Sequence, residues 1–223
     1  MSEIWVLLLL VLIAVLPLII VLFCFRAVKI KMTLSWFIAA MAAGMISLFA
    51  AALVQNLLPR SGVSSLGPLL FGVFIRIALV EESSRLLTLF FLFKTGKRHI
   101  SDDAAFAGAL GLVAGLGFAA VESAAYGSAD LNITLLRAFT AAPLHGACGI
   151  RAAAAIFTAS RAPAKSLFLF ISAIFIHGAY NLFLVSPAFP SILAALVAAL
   201  ALFASLPLLK TGQKTGIDIS SSP

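Results

Sequence analysis

PLLFGVFIRIALVEESSRLLTLFFLF, Pro68–Phe93, is the stretch that decides how the chain folds. At ~1.5 Å per residue it exceeds the ~30 Å depth of a bilayer's hydrocarbon core, so it predicts a membrane-crossing helix. Yet it carries Arg76, Glu81, Glu82 and Arg85. A charge at the centre of a membrane helix opposes insertion by about 2.5–3.5 kcal/mol, and such groups face the protein interior, pair with one another and mark function. A helix that keeps four of them has to be wrapped by others.

The rest of the chain supplies those neighbours. Of its 223 residues 63% are hydrophobic and only 10% are charged, and apolar runs of about 20 residues recur from end to end. This composition specifies an all-α polytopic membrane protein. Hydropathy predicts seven transmembrane helices: Ile4–Phe25, Leu34–Leu57, Pro68–Phe93, Ala104–Tyr126, Ile133–Thr158, Leu167–Val185 and Ser191–Leu209. Short connections make residues 1–223 a single membrane domain, with a motif-bearing core at about 68–185 and a disordered polar tail at 210–223. The N-terminal Met-Ser-Glu has neither the basic region nor the cleavage site of a signal peptide, so the first run is expected to be a retained span.

The net charge of +7 raises the question of nucleic acid, and its placement excludes that class. Arg26, Lys29, Lys31, Lys94, Lys97, Arg98, Arg161, Lys165, Lys210 and Lys214 all fall in alternate loops and the tail, whereas the other loops hold only Arg60. Cations concentrated on one side orient a membrane protein, which puts the N-terminus outside and the C-terminus in the cytoplasm. No basic stripe with interleaved aromatics is present. Arg151, near the cytoplasmic end of its span, and Arg137, near the outer end, are expected to snorkel to the interfaces. Cys24 and Cys148 lack the spacing of a metal knuckle or a disulfide framework and are expected to pack as small hydrophobes. In the fourth span, Gly111-xxx-Gly115 invites close approach of another helix, and packing of that kind brings Glu122 toward the third.

Glu81, Glu82, Glu122, His145 and His177 are the acids and imidazoles inside spans; His99 falls in a loop. Counted from the outer helix ends at ~1.5 Å per residue, Glu81 lies roughly 20 Å deep, His145 roughly 18 Å, His177 roughly 13 Å and Glu122 roughly 6 Å. Four helices thus present polar groups between the midplane and the outer face, where one pocket could hold them, although depth leaves the azimuth of each helix open. Arg85 shares a helix face with both Glu81 and Glu82, which themselves point ~100° apart. One carboxylate is therefore expected to hold Arg85 while the other faces the pocket; the alternative is a structural ion cluster. Glu122 is a candidate general base or a partner for Arg76. Asn181, one turn after His177, is placed to fix its tautomer or to hold an oxyanion.

These are the parts for activating water: a carboxylate to take the proton, a histidine to orient water or protonate a leaving amine, and an amide or guanidinium to steady the oxyanion. The set Glu122, His145 and His177 also matches a catalytic zinc site with one position open, so one zinc or other divalent ion is an alternative. No His-Glu-x-x-His and no Gly-x-Ser-x-Gly occurs.

In order, Glu81-Glu82-x-x-Arg85, Gly117-Phe118-x-x-x-Glu122, His145 and His177-x-x-x-Asn181 resemble the motifs of the PrsW family of intramembrane proteases, which forms a superfamily with the CAAX prenyl proteases and bacteriocin-processing enzymes. The resemblance spans about residues 76–185. Glu122 stands where the CAAX relatives carry His, and Arg85 stands where many members carry Lys. The resemblance implies an endopeptidase of the bacterial cytoplasmic (inner) membrane that makes the first cut in a membrane-anchored protein, such as an anti-sigma factor. It implies a catalytic centre of Glu81, Glu82, Glu122, His145 and His177, supported by Arg85 and Asn181, and leaves metal-dependent and glutamate-dependent mechanisms both open. Two other classes compete. A cation- or proton-coupled transporter also needs buried carboxylates and histidines, but no internal repeat or pair of broken helices is seen. A non-catalytic scaffold of the same fold has no need of every motif position being filled.

Overall fold

The computed structural model describes residues 3–27, 30, 32–59, 65–96, 103–127 and 131–209. The tail 210–223, His99, Arg60, Arg98 and Lys29, Lys31, Lys97, Lys210 and Lys214 lie outside these residues, and with them most of the charge asymmetry. The structure is all α-helical. In chain order it contains α1 (Glu3–Ala27), α2 (Leu34–Leu57), α3 (Leu66–Leu70), a π-helical segment Phe71–Leu79, α4 (Val80–Thr95), α5 (Ala104–Gly127), α6 (Leu131–Phe139), α7 (Ala141–Thr158), α8 (Pro163–Val185) and α9 (Ile192–Ser205). A 3-10 segment, Leu206–Leu209, follows. Among the described residues five stretches are long and apolar enough to cross a membrane: Leu8–Ala27, Leu34–Leu57, Ala104–Tyr126, Pro163–Val185 and Ile192–Leu209.

The two remaining expected spans are helical but not simple α-helices. Pro68–Phe93 begins in α3, passes through the π-helical segment and ends in α4, with helical backbone at both junctions. A π turn accommodates an additional residue and rotates everything after it, and such turns gather at functional sites. Here the wide turns end at Leu79, so they set the direction in which Glu81 and Glu82 point. The expected Ile133–Thr158 span breaks at Thr140, whose φ of −120° and ψ of −59° are not helical. Pro143 gives the reason. In a continuous helix its ring would meet the carbonyl four residues earlier, that of Phe139, where α6 ends. Restarting at Ala141 puts the proline in the first turn, where its missing N–H costs nothing.

α5 is the axis of the bundle. Its span is 83% buried, against 22–33% for the spans of α1, α2, α8 and α9. Those outer helices turn large apolar side chains outward, including Leu53, Phe168, Phe175 and Phe203, as a lipid-facing surface requires. The α5–α7 crossing is close because a side chain is missing where backbone arrives. A Cβ at Gly111 would lie 2.2 Å from the Gly149 carbonyl oxygen, and one at Gly115 would lie 2.0 Å from that of His145. The small-residue spacing of the fourth span is thus used against α7, and it seats His145 beside α5.

The two arginines expected at the interfaces, Arg137 and Arg151, are 8% and 9% exposed and are bonded to acceptors on neighbouring helices, Arg151 through Nε and Nη1. Cys148 is buried as expected, whereas Cys24 is exposed on α1.

Candidate active site

α4 carries the site's electrostatic anchor. Glu82 and Arg85, one turn apart, are fully buried, and Arg85 Nη1 bonds both Glu82 carboxylate oxygens. Phe118 of α5 lies under the guanidinium, its ring centroid 4.5 Å from Cζ. Glu82 Oε1 also takes a bond from His177 Nδ1 of α8 at 2.7 Å. A carboxylate paired with Arg only accepts, so the Nδ1 nitrogen carries the proton and His177 Nε2 keeps its lone pair. That nitrogen faces Glu81 Oε2 at 3.6 Å.

Glu81 is held from the other side. Gln55, near the end of α2, donates its amide N–H to Glu81 Oε1 at 2.9 Å. The Gln55 backbone carbonyl accepts from Arg76 Nη2 at 3.2 Å. Glu81 Oε2 is left buried with no hydrogen bond. Two acceptor atoms, Glu81 Oε2 and His177 Nε2, therefore point at one space with nothing shared between them. A buried acceptor without a donor costs about 1–3 kcal/mol, so this arrangement asks for a cation or a proton donor.

His145 of α7 is set differently. Its Nδ1 lies 3.0 Å from Arg85 Nη2, and a guanidinium can only donate, so Nδ1 accepts. The proton is then on Nε2, which donates to Glu122 Oε2 of α5 at 2.8 Å. Arg137 of α6 bonds the same Glu122 oxygen at 2.5 Å and stacks over Tyr126, 4.4 Å from its ring centroid. The two imidazoles meet edge to face at 4.9 Å, and Phe118 packs on His145 at 4.7 Å.

All five predicted catalytic positions thus join one buried network drawn from α4, α5, α7 and α8. The tightest group differs from the expected metal set by one carboxylate: Glu81, His145 and His177 place ligand atoms all within 4.8 Å of one another. Glu122 instead flanks His145 and pairs with Arg137, not with Arg76. Glu82 is the carboxylate that holds Arg85, and Glu81 is the one left open. His177's tautomer is set by Glu82 and not by Asn181, whose side-chain nitrogen is buried without a partner. Sequence reasoning missed Gln55 and gave Arg137 and Phe118 no part in the site. Gln55 and Phe118 both had a signal: Gln55 is an amide near the end of an apolar run, and Phe118 stands in the Gly117-Phe118-x-x-x-Glu122 motif.

Comparison with known families settles the class. Residues 32–206 match the model of the PrsW family of intramembrane metalloproteases. The chain belongs to the PrsW family. No match was found among curated proteins or among solved structures. As a PrsW metalloprotease it calls for a metal, and the buried Glu81, His145 and His177 group fits one. A carboxylate oxygen with two imidazole nitrogens is a donor set suited to zinc, with room for a further ligand. The unpaired Glu81 Oε2 and the His177 Nε2 lone pair are already in ligand form, and Glu82 on His177 Nδ1 is the carboxylate–histidine support that such ligands use. His145 meets the requirement once ion binding releases its Nε2 proton.

Proposed function

We propose that this PrsW protease hydrolyses a peptide bond of a membrane-anchored protein, with water activated at Glu81, His145 and His177. In a bacterial cytoplasmic membrane the substrate class that fits is a single-pass protein, such as an anti-sigma factor, receiving its first cut. The observation that carries the reading is the unpaired Glu81 Oε2 facing His177 Nε2 at 3.6 Å inside the bundle. The proposed architecture is a single domain of seven crossings, two of them the kinked α3–α4 and α6–α7 elements, with the N-terminus outside and the C-terminus in the cytoplasm.

Each residue has a task. Glu81, His145 and His177 would hold the ion, which when bound supplies Lewis acidity toward water and the scissile carbonyl. Gln55 tethers Glu81 through Oε1 and so leaves its other oxygen free to serve as the ligand. Glu82 keeps His177 in the Nδ1–H tautomer and is itself neutralised by Arg85. Glu122, beside His145 and paired with Arg137, takes the proton of the attacking water and returns it to the leaving amine. The sealed amide nitrogen of Asn181 is a donor in search of an acceptor, which a developing oxyanion provides.

The experiment is cleavage of a co-reconstituted single-pass substrate by purified enzyme, with and without a strong zinc chelator. Loss of cleavage with the chelator and recovery on adding zinc is expected. Undiminished cleavage by metal-free enzyme would sink the metal-dependent form of the proposal.

A further inference from the structure

Arg151 takes no part in the network around Glu81. It lies on α7 seven residues before Thr158, ~10 Å from that helix end, and is 9% exposed. Its Nε donates to Ser205 Oγ of α9 at 3.0 Å, and its Nη1 donates to Ser172 Oγ of α8 at 2.8 Å. Each hydroxyl gives its own proton to a carbonyl one turn back, Ser172 to Leu169 and Ser205 to Ala201, both at 2.7 Å. Lone pairs of both oxygens are therefore turned on the guanidinium, and three helices build a seat for it.

None of them brings it an anion. No carboxylate among the described residues is bonded to Arg151; Glu81, Glu82 and Glu122 are committed to the active-site network. Asp103, at the start of α5, accepts the Phe106 backbone N–H at 2.9 Å. A guanidinium does not shed its charge, and an uncompensated charge away from water is costly. Nη2 takes no hydrogen bond among the described residues and is not one of the sealed polar atoms, so it faces the surroundings. The same end of the bundle carries exposed Arg161 and Lys165 in the turn from α7 to α8 and at the start of α8.

We propose that Arg151 is a binding site for the phosphate of an anionic membrane phospholipid. Ser172 and Ser205 fix the guanidinium from within while Nη2 meets a phosphate oxygen, and Arg161 and Lys165 draw the acidic headgroup toward it. Basic pockets between transmembrane helices bind acidic lipid headgroups in this way. A lipid is favoured over free phosphate because Nη2 opens on the side of the helical bundle, which bears on lipid, and a guanidinium ~10 Å short of the helix end can reach outward to a headgroup phosphate.

The test is thermal unfolding of delipidated, detergent-solubilised protein with phosphatidylglycerol, phosphatidylcholine or inorganic phosphate added. The wild type is expected to rise in Tm by about 2–4 °C with phosphatidylglycerol alone. Arg151→Gln should lose that rise, and the double variant Arg161→Gln, Lys165→Gln should keep most of it. Ser205→Asp supplies an internal counter-charge, so it should raise Tm in detergent alone and lose the lipid response; it decides the matter if Arg151→Gln fails to fold. A wild type indifferent to phosphatidylglycerol, or a response that persists in Arg151→Gln and Ser205→Asp, overturns the proposal. An equal response to inorganic phosphate overturns the lipid assignment.

Discussion

His145 and His177 lie 4.9 Å apart, ring centre to ring centre, and their surroundings give them opposite tautomers. His177 sits between two carboxylates: it donates from Nδ1 to Glu82 and turns an unprotonated Nε2 to Glu81. His145 sits between a guanidinium and a carboxylate: it accepts from Arg85 at Nδ1 and donates from Nε2 to Glu122. The difference teaches that one buried ion pair, Glu82–Arg85, assigns both rings, since Glu82 takes the proton of one and Arg85 fills the lone pair of the other. His177 is thereby prepared to ligate or to accept, and His145 to pass a proton.

The largest effect should come from the prepared side. His177→Ala and Glu81→Gln are each expected to lower substrate cleavage by more than about 10³-fold with membrane abundance unchanged. Normal cleavage by either in a co-expression assay would break the contrast. On the proton-passing side, Glu122→Gln keeps the shape but not the proton acceptor, and a loss of about 10²-fold is expected. Glu82→Gln attacks the shared anchor: about 10–100-fold in metal affinity or activity, because an amide no longer fixes His177. It also leaves Arg85 buried without its acid, a loss of about 3–5 kcal/mol that denaturation of the purified variant would register. Gln55→Met, which keeps length and removes the donor, should cost least, about 10-fold in kcat with KM unchanged.

How far the sequence revealed this depends on which physical quantity is asked for. Charges in an apolar helix are costly wherever they occur, so Glu81, Glu82, Glu122, His145 and His177 could be chosen from hydropathy and depth alone. Azimuth could not. The π-helical turns of Phe71–Leu79 rotate α4 by an amount that no hydrophobic count reports, and that rotation turns Glu82 to His177 Nδ1 and Glu81 to Gln55. Partner choice was likewise hidden. Glu122 pairs with Arg137 because the chain breaks at Thr140 and α6 folds beside the end of α5, a consequence of Pro143 that a single long span would not produce. Arg151 was half legible for the same reason: its depth was visible, but the serines of α8 and α9 that hold it were not.

The most direct measurement is the metal content of purified protein, compared between the wild type and single-residue variants of the network. The geometry predicts a stoichiometric divalent ion in the wild type and in Glu122→Gln, and its loss in Glu81→Gln and His177→Ala, with all four proteins folded. Retention in Glu81→Gln with loss in Glu122→Gln would contradict the account and return the ligand set to Glu122, His145 and His177.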